Sequence, residues 1–109
     1  MTAGPIPPTA VVRVSRGNFD PARFAEVQEM TVATSRYLIP AIKKLPGLIS
    51  YYAGASPGGS AVHVSVWESD QHAQQMSRLK EMIIDARQDA ERAGVTFSPI
   101  VNYPVDWTI

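Results

Sequence analysis

The 109-residue sequence predicts an α+β domain, an antiparallel sheet with two helices on one face, in the order strand, helix, strand, strand, helix, strand. Three observations predict it. Ala61 to Ser69 alternates Val62, Val64 and Val66 with Ala61, His63, Ser65 and Trp67, the period of two that a strand gives. Two helical stripes, one starting at Phe24 and one at Ala73, frame the strand-rich centre. Ser56-Pro57-Gly58-Gly59-Ser60 is a short turn between strand-like runs, which makes those runs an antiparallel hairpin.

Residues 1–9 hold Gly4, Pro5, Pro7 and Pro8 and are expected to form an extended or disordered arm, leaving 10–109 as a single domain. The first strand is Ala10 to Arg16, valine-rich and closed by Gly17-Asn18. Asp20-Pro21 starts a helix, since an aspartate caps the free N–H groups and proline at the first position has no N–H to leave unpaired. Phe24, Val27, Thr31, Thr34 and Leu38 recur at spacings of three and four, so one stripe faces inward. Threonine occupies its middle where leucine would be ordinary. Either the threonines pack at a helix–sheet seam or they line a polar space. Pro40 disfavours helical dihedrals at Ile39, so a kink or restart is expected there, with Ala41 to Leu45 as a short continuation.

Leu45-Pro46-Gly47 ends the helical region, and Leu48 to Ala53 is the second strand. Tyr51 and Tyr52 are adjacent and must point to opposite faces. The third strand runs from Ala61 and leads into Ser69 or Asp70 as a helix cap, with Glu68 at the positive end of the helix. Ala73, Met76, Leu79, Ile83, Ala86, Ala90 and Ala93 then predict one long amphipathic helix stopped by Gly94. Its outer face, from Arg78 to Arg92 and including Arg87, reads as a solvated array of mixed charge. Thr96 to Val101 is a last strand whose Pro99 calls for an edge or a bulge. Tyr103, Val105, Trp107 and Ile109 alternate in the tail, which is expected to continue as a strand covered by a partner.

This order is the ferredoxin-like βαββαβ plan, which leaves one sheet face open. If the polar alternates of the third strand look toward the helices, Val62, Val64 and Val66 form a contiguous apolar patch on that open face. A homodimer through this face and the C-terminal tail is therefore expected.

Ten Lys plus Arg balance ten Asp plus Glu, giving no electrostatic footprint for nucleic acid or an anionic membrane. Hydrophobic residues at 45% and charged ones at 18% place the chain among ordinary globular domains. No apolar segment approaches the roughly 18 to 20 residues of a spanning helix, and no basic start with an apolar run opens the chain, so a cytoplasmic location is expected. Without cysteine there is neither a disulfide nor a thiolate metal site, and His63 and His72 alone build no metal centre. Ser65 lacks a supporting His–Asp pair and is a poor nucleophile.

Leu45-Pro46-Gly47-Leu48 with Tyr51 or Tyr52 close behind, the glycine-rich hairpin, Val64-Ser65-Val66-Trp67-Glu68-Ser69 and His72-Ala73 resemble the antibiotic-biosynthesis-monooxygenase-like (ABM) family of the dimeric α+β barrel superfamily. The resemblance implies two sheets packed face to face across a dimer, and a cleft in each monomer between sheet and helices. Carried over, the cleft residues are His63, Ser65 and Trp67, with Tyr52, Arg13, Thr31 and Thr34 beside them. Family members include oxygenases that need no metal, flavin or haem and act on electron-rich polycyclic phenols, so the implied cofactor is none and the ligand a small molecule. The protein's part is to deprotonate the substrate, hold its anion and exclude water. His63 and Trp67 are then the catalytic candidates, His63 as base with Arg13 or Tyr52 as oxyanion partner. On general grounds Trp67 is a packing residue and His63 equally a structural histidine.

Two alternatives remain. One is a dimeric ligand-binding protein without turnover. The other is a haem-binding or haem-degrading relative. For the latter, Trp67 matches, but the first strand has no Asn and Ser77 stands where the helical iron ligand would be.

Overall fold

The computed structural model describes residues 6–109. Strand β1 spans Val11–Asn18, helix α1 Phe24–Lys43, and strands β2 and β3 Leu48–Ser56 and Ser60–Trp67. A helical region follows, then two short strands, β4 at Thr96–Phe97 and β5 at Val101–Pro104. The sheet order is β2-β3-β1-β4, all antiparallel, with β5 beside β1 as well. Strands β4 and β5 share one edge of β1, Thr96–Phe97 against Gly17–Asn18 and Val101–Pro104 against Val11–Val14. Together they fill the fourth place of the ferredoxin-like plan.

Asp20 caps the first turn, accepting from the Ala22 N–H at 2.9 Å, and that turn is a 3-10 helix over Pro21–Arg23 before α1 proper. The break expected at Pro40 does not occur, and α1 continues to Lys43. Proline removes only the N–H that would reach the Arg36 carbonyl, and both residues are exposed, so water satisfies what is freed. Val27, Thr34, Leu38 and Ile42 are the buried stripe.

The single long helix expected after Ser69 is instead broken. Helix α2 covers Asp70–Gln74, a 3-10 turn Gln75–Arg78, a π-helical turn Glu81–Ala86, and helix α3 Arg87–Arg92. Leu79, between the turns, is extended at φ −79° and ψ 113°. The spacing of the buried positions is compatible with the break. Ala73, Met76 and Leu79 step by three, which a 3-10 helix of three residues per turn keeps on one side. Met82, Ala86 and Ala90 step by four, nearer the wider π turn. Gly94 ends the region in the left-handed conformation, φ +90°.

The expected strand Thr96 to Val101 is interrupted at Ser98–Ile100 around Pro99, which cannot donate to a ladder. The first part of the tail pairs with the chain's own β1, correcting the expectation that it continues beyond the sheet, and residues 105–109 form no strand. Of the expected arm 1–9, residues 1–5 lie outside the described residues; Thr9 donates to the Glu68 carbonyl at 2.6 Å.

One face of the sheet meets the helices and the other is open. Val62, Val64 and Val66 lie on the open face, and Val12 and Val14 pair with Val66 and Val64 there. Toward the helices two clusters form. Val11, Leu38, Ile42, Trp67, Ala73 and Met76 make one, and Phe19, Val27, Ala90, Ala93 and Val95 the other. No helix among the described residues is long and apolar enough to cross a membrane.

Candidate functional site

Register places the polar residues. Arg13 of β1 faces Ser65 of β3, which faces Tyr51 of β2, and the next row holds Ser15, His63 and Ala53. All six side chains project to the helix side because alternate residues share a face. Between this face and the helical region lies a cavity of about 360 Å³, within the size range of small-molecule sites. Arg13, Ser15 and His63 form its floor; Thr31, Thr34 and Leu38 of α1 and Met82, Ala86 and Arg87 of the broken region form its walls.

Arg13 is only 3% exposed. None of the four ion pairs among the described residues includes it, and its guanidinium has no hydrogen-bond partner there. Burial pulls its pKa below the ordinary value, with the Tyr51 hydroxyl opposing, yet a guanidinium stays protonated at neutral pH. No Asp or Glu lines the cavity. A buried cation without a counter-charge is costly, so its retention facing an open space is the site's central observation.

Tyr51 Oη lies 2.6 Å from His63 Nδ1, and the two rings meet edge to face with centroids 5.6 Å apart. Burial, and secondarily Arg13, hold His63 below its ordinary pKa of 6.5, which keeps the ring neutral at pH 7. Burial also raises the Tyr51 pKa, so its hydroxyl keeps its proton. The threonine hydroxyls give their hydrogens to the helix itself, Thr31 to the Val27 carbonyl at 2.9 Å and Thr34 to the Thr31 carbonyl at 3.1 Å. They therefore offer a ligand lone pairs only.

Of the residues singled out from sequence, Arg13, His63, Thr31 and Thr34 meet at this cavity. Ser65 and Trp67 do not line it. The Trp67 indole N–H donates to Ser65 Oγ at 2.9 Å, both are buried, and Trp67 at 0% exposure packs in the first cluster. Tyr52 is 65% exposed on the open face; Tyr51 is the tyrosine on the helix side, where it contacts His63 without lining the cavity. The cause is a β-bulge between Leu48 and Ser50, which shifts the alternation by one residue. His72 lies outside the cavity, its ring Nδ1 2.7 Å from Ser69 Oγ and its ring against Gly47, where a Cβ would collide. Gly47 sits at φ +83°, so the turn needs glycine on both counts. Arg87 is exposed and pairs with Glu91 at 3.8 Å, as expected of the solvated array, and it also borders the cavity, with its guanidinium 5.2 Å from the Phe97 ring centroid. Its spacing of four from Ile83, on the apolar stripe, was the available signal.

The fold is a ferredoxin-like α+β sandwich with a cavity between sheet and helices. No protein-family model and no curated protein matches the chain. Solved structures do. SnoaB, a cofactor-independent oxygenase from Streptomyces nogalater, is similar in a mutant form at 16% identity and a TM-score of 0.67, over 93% of this chain and 97% of that one. A monooxygenase from the ActVA-Orf6 gene of Streptomyces coelicolor, in complex with nanaomycin D, is similar at 21% identity and a TM-score of 0.67, over 93% and 91%. A dimeric ferredoxin-like protein from an uncultured marine organism is similar at 14% identity and a TM-score of 0.70, over 93% and 91%. The chain therefore shares the ferredoxin-like α+β fold of these proteins.

Proposed function

We propose that the protein is a cofactor-independent monooxygenase that binds a small aromatic or polyketide-like phenol in the cavity as its oxyanion. Buried Arg13, facing the cavity without a counter-charge, is the observation that carries this reading. Arg13 neutralises the oxyanion beside His63, while the mainly apolar walls exclude water and keep the electrostatic attraction strong. An anion so held is electron-rich enough to reduce dioxygen itself. The ring carbon conjugated with the oxyanion bonds to one oxygen atom and gives a hydroperoxide; loss of water then leaves a carbonyl, and the substrate supplies all the electrons. Trp67 in this reading is a packing residue of the first cluster, outside the cavity lining. Incubation of anthrone with the protein under ¹⁸O₂ tests it: one labelled oxygen is expected in the anthraquinone product, with oxygen uptake lost in Arg13→Gln. Uptake at the rate of buffer alone rejects the reading.

A second reading, a ligand-binding protein without turnover, draws support from His63. With Nδ1 accepting from the Tyr51 hydroxyl, the ring proton sits on Nε2 and no lone pair is left to act as the base expected from sequence. Saturable binding without oxygen uptake would select it.

The same proposal includes a homodimer formed through Val62, Val64, Val66 and the exposed tail, where Trp107 is 77% exposed. Val64→Asp, placing a charge in the middle of that apolar face, is expected to give a monomer by light scattering where the wild type gives a dimer. Unchanged mass would remove the assigned interface.

A further inference from the structure

The proposed reaction gives Tyr51 no task, yet its hydroxyl makes one of the shortest side-chain contacts in the protein, 2.6 Å to His63 Nδ1. Two proton arrangements fit that distance. In one, the phenol donates to the Nδ1 lone pair and the imidazole hydrogen sits on Nε2. In the other, Nδ1–H donates to the phenolic oxygen, and the phenol hydrogen has no acceptor among the described residues. A largely buried donor left without a partner forfeits its hydration with no return, so the first arrangement prevails.

We propose that Tyr51 is a positioning residue that holds His63 as an Nε2–H donor, so that His63 and Arg13 together form a two-donor site for one ionised oxygen acid, carboxylate or phenolate, on a planar aromatic ligand. The proposal rests on the cavity being the ligand site of the reading above. It follows that His63 takes no proton from the ligand; the acid ionises in water or under the field of Arg13 as it enters. Arg13 and His63 lie on neighbouring rows of one sheet face, a register that lets both reach a single acid group. The guanidinium's fork of N–H groups suits a carboxylate, and a single oxyanion is served by one arm and the imidazole. Leu38, Met82, Ile83, Phe97 and Ile100 supply the apolar surface for the aromatic body.

Calorimetric titration with 2-naphthoate and its neutral analogue 2-naphthamide tests the charge requirement. The wild type is expected to bind naphthoate about 10- to 100-fold more tightly, the range of charged hydrogen bonds. Arg13→Gln is expected to bring the two ligands within about threefold, and Tyr51→Phe to weaken naphthoate about 3- to 10-fold while leaving naphthamide unchanged. Titration with 2-naphthol, tightening in proportion to its ionised fraction, would place phenolates in the same site. Equal affinity for naphthoate and naphthamide, or no binding of either at millimolar concentration, overturns the proposal.

Nitrogen-15 correlation spectra of the imidazoles, assigned with His63→Gln, give a readout independent of binding. An Nε2–H tautomer that becomes mixed in Tyr51→Phe is expected, and an Nδ1–H tautomer in the wild type overturns the proposal even if Tyr51→Phe fails to fold. A protein that prefers the anion but consumes no oxygen with anthrone would end the oxygenase reading and keep this one.

Discussion

The helix-facing side of β3 ends differently at its two extremities. At the Trp67 end, the indole N–H and Ser65 Oγ satisfy each other, and Leu38, Ile42, Ala73 and Met76 pack over them without leaving room for a ligand. At the His63 end, the covering residues are Thr31, Thr34, Ala86 and Ala90, too short to reach the sheet, and a cavity of about 360 Å³ remains over Arg13. Both ends belong to one alternating strand. What separates them is the size of the side chains opposite and whether the polar groups find partners within the protein. The closed end stabilises the fold. The hollow end keeps a buried cation exposed to whatever enters, a condition that serves binding at the expense of stability.

Substitutions at the two ends should therefore act on different measurements. Trp67→Ala is expected to give the largest loss, about 3–5 kcal/mol by chemical denaturation, because it leaves a large void in a packed cluster and an unpaired Ser65 hydroxyl. If the variant folds, its preference for an anionic ligand should persist; loss of that preference with stability intact would put Trp67 in the site instead. Arg13→Met should do the reverse. Removing a buried charge that has no partner is expected to raise stability by about 1–3 kcal/mol while abolishing anion binding. A fall in the denaturation midpoint would make Arg13 a structural residue and erase the contrast between the ends.

Thr34→Leu sharpens the comparison by making the hollow end resemble the closed one. The larger side chain projects into empty space, so stability should change by less than about 1.5 kcal/mol while ligand affinity falls at least about tenfold. The smallest effect concerns pH. His63 in the folded protein lies below its ordinary value of 6.5, so as pH falls below 6.5 the unfolded chain takes up a proton that the folded one refuses. Stability is therefore full above that value, declines as pH drops through it, and levels off below the folded pKa. The slope cannot exceed about 1.4 kcal/mol per pH unit for one proton, and the part of the decline below pH 6.5 that His63 contributes should vanish in His63→Gln.

Much of this arrangement was legible in the residues. The alternation of Val62, Val64 and Val66 with His63, Ser65 and Trp67 assigned the two faces of β3 correctly, because a strand's period of two is a local property of the backbone. Leu45-Pro46-Gly47 and the 56–60 turn marked real boundaries for the same reason. Tyr51 and Tyr52 were not assignable. Adjacent residues must point apart, but which points inward depends on the count from the bulge between Leu48 and Ser50, and that bulge exists only against β3. The break around Leu79 was equally hidden, since spacings of three and four fit one α-helix as well as a 3-10 turn joined to a π turn.

By itself the sequence determined the order of elements, the plan of the fold and the two unlike faces of its central strand, all consequences of periodicity and turn chemistry within a few residues. Only the tertiary structure decided that Ser65 and Trp67 satisfy one another, that Tyr51 and not Tyr52 meets His63, and that Arg13 faces a cavity without a counter-charge. Each of those outcomes depends on which groups, distant along the chain, are brought within hydrogen-bonding distance, and on how far short side chains fall from filling the space between two layers.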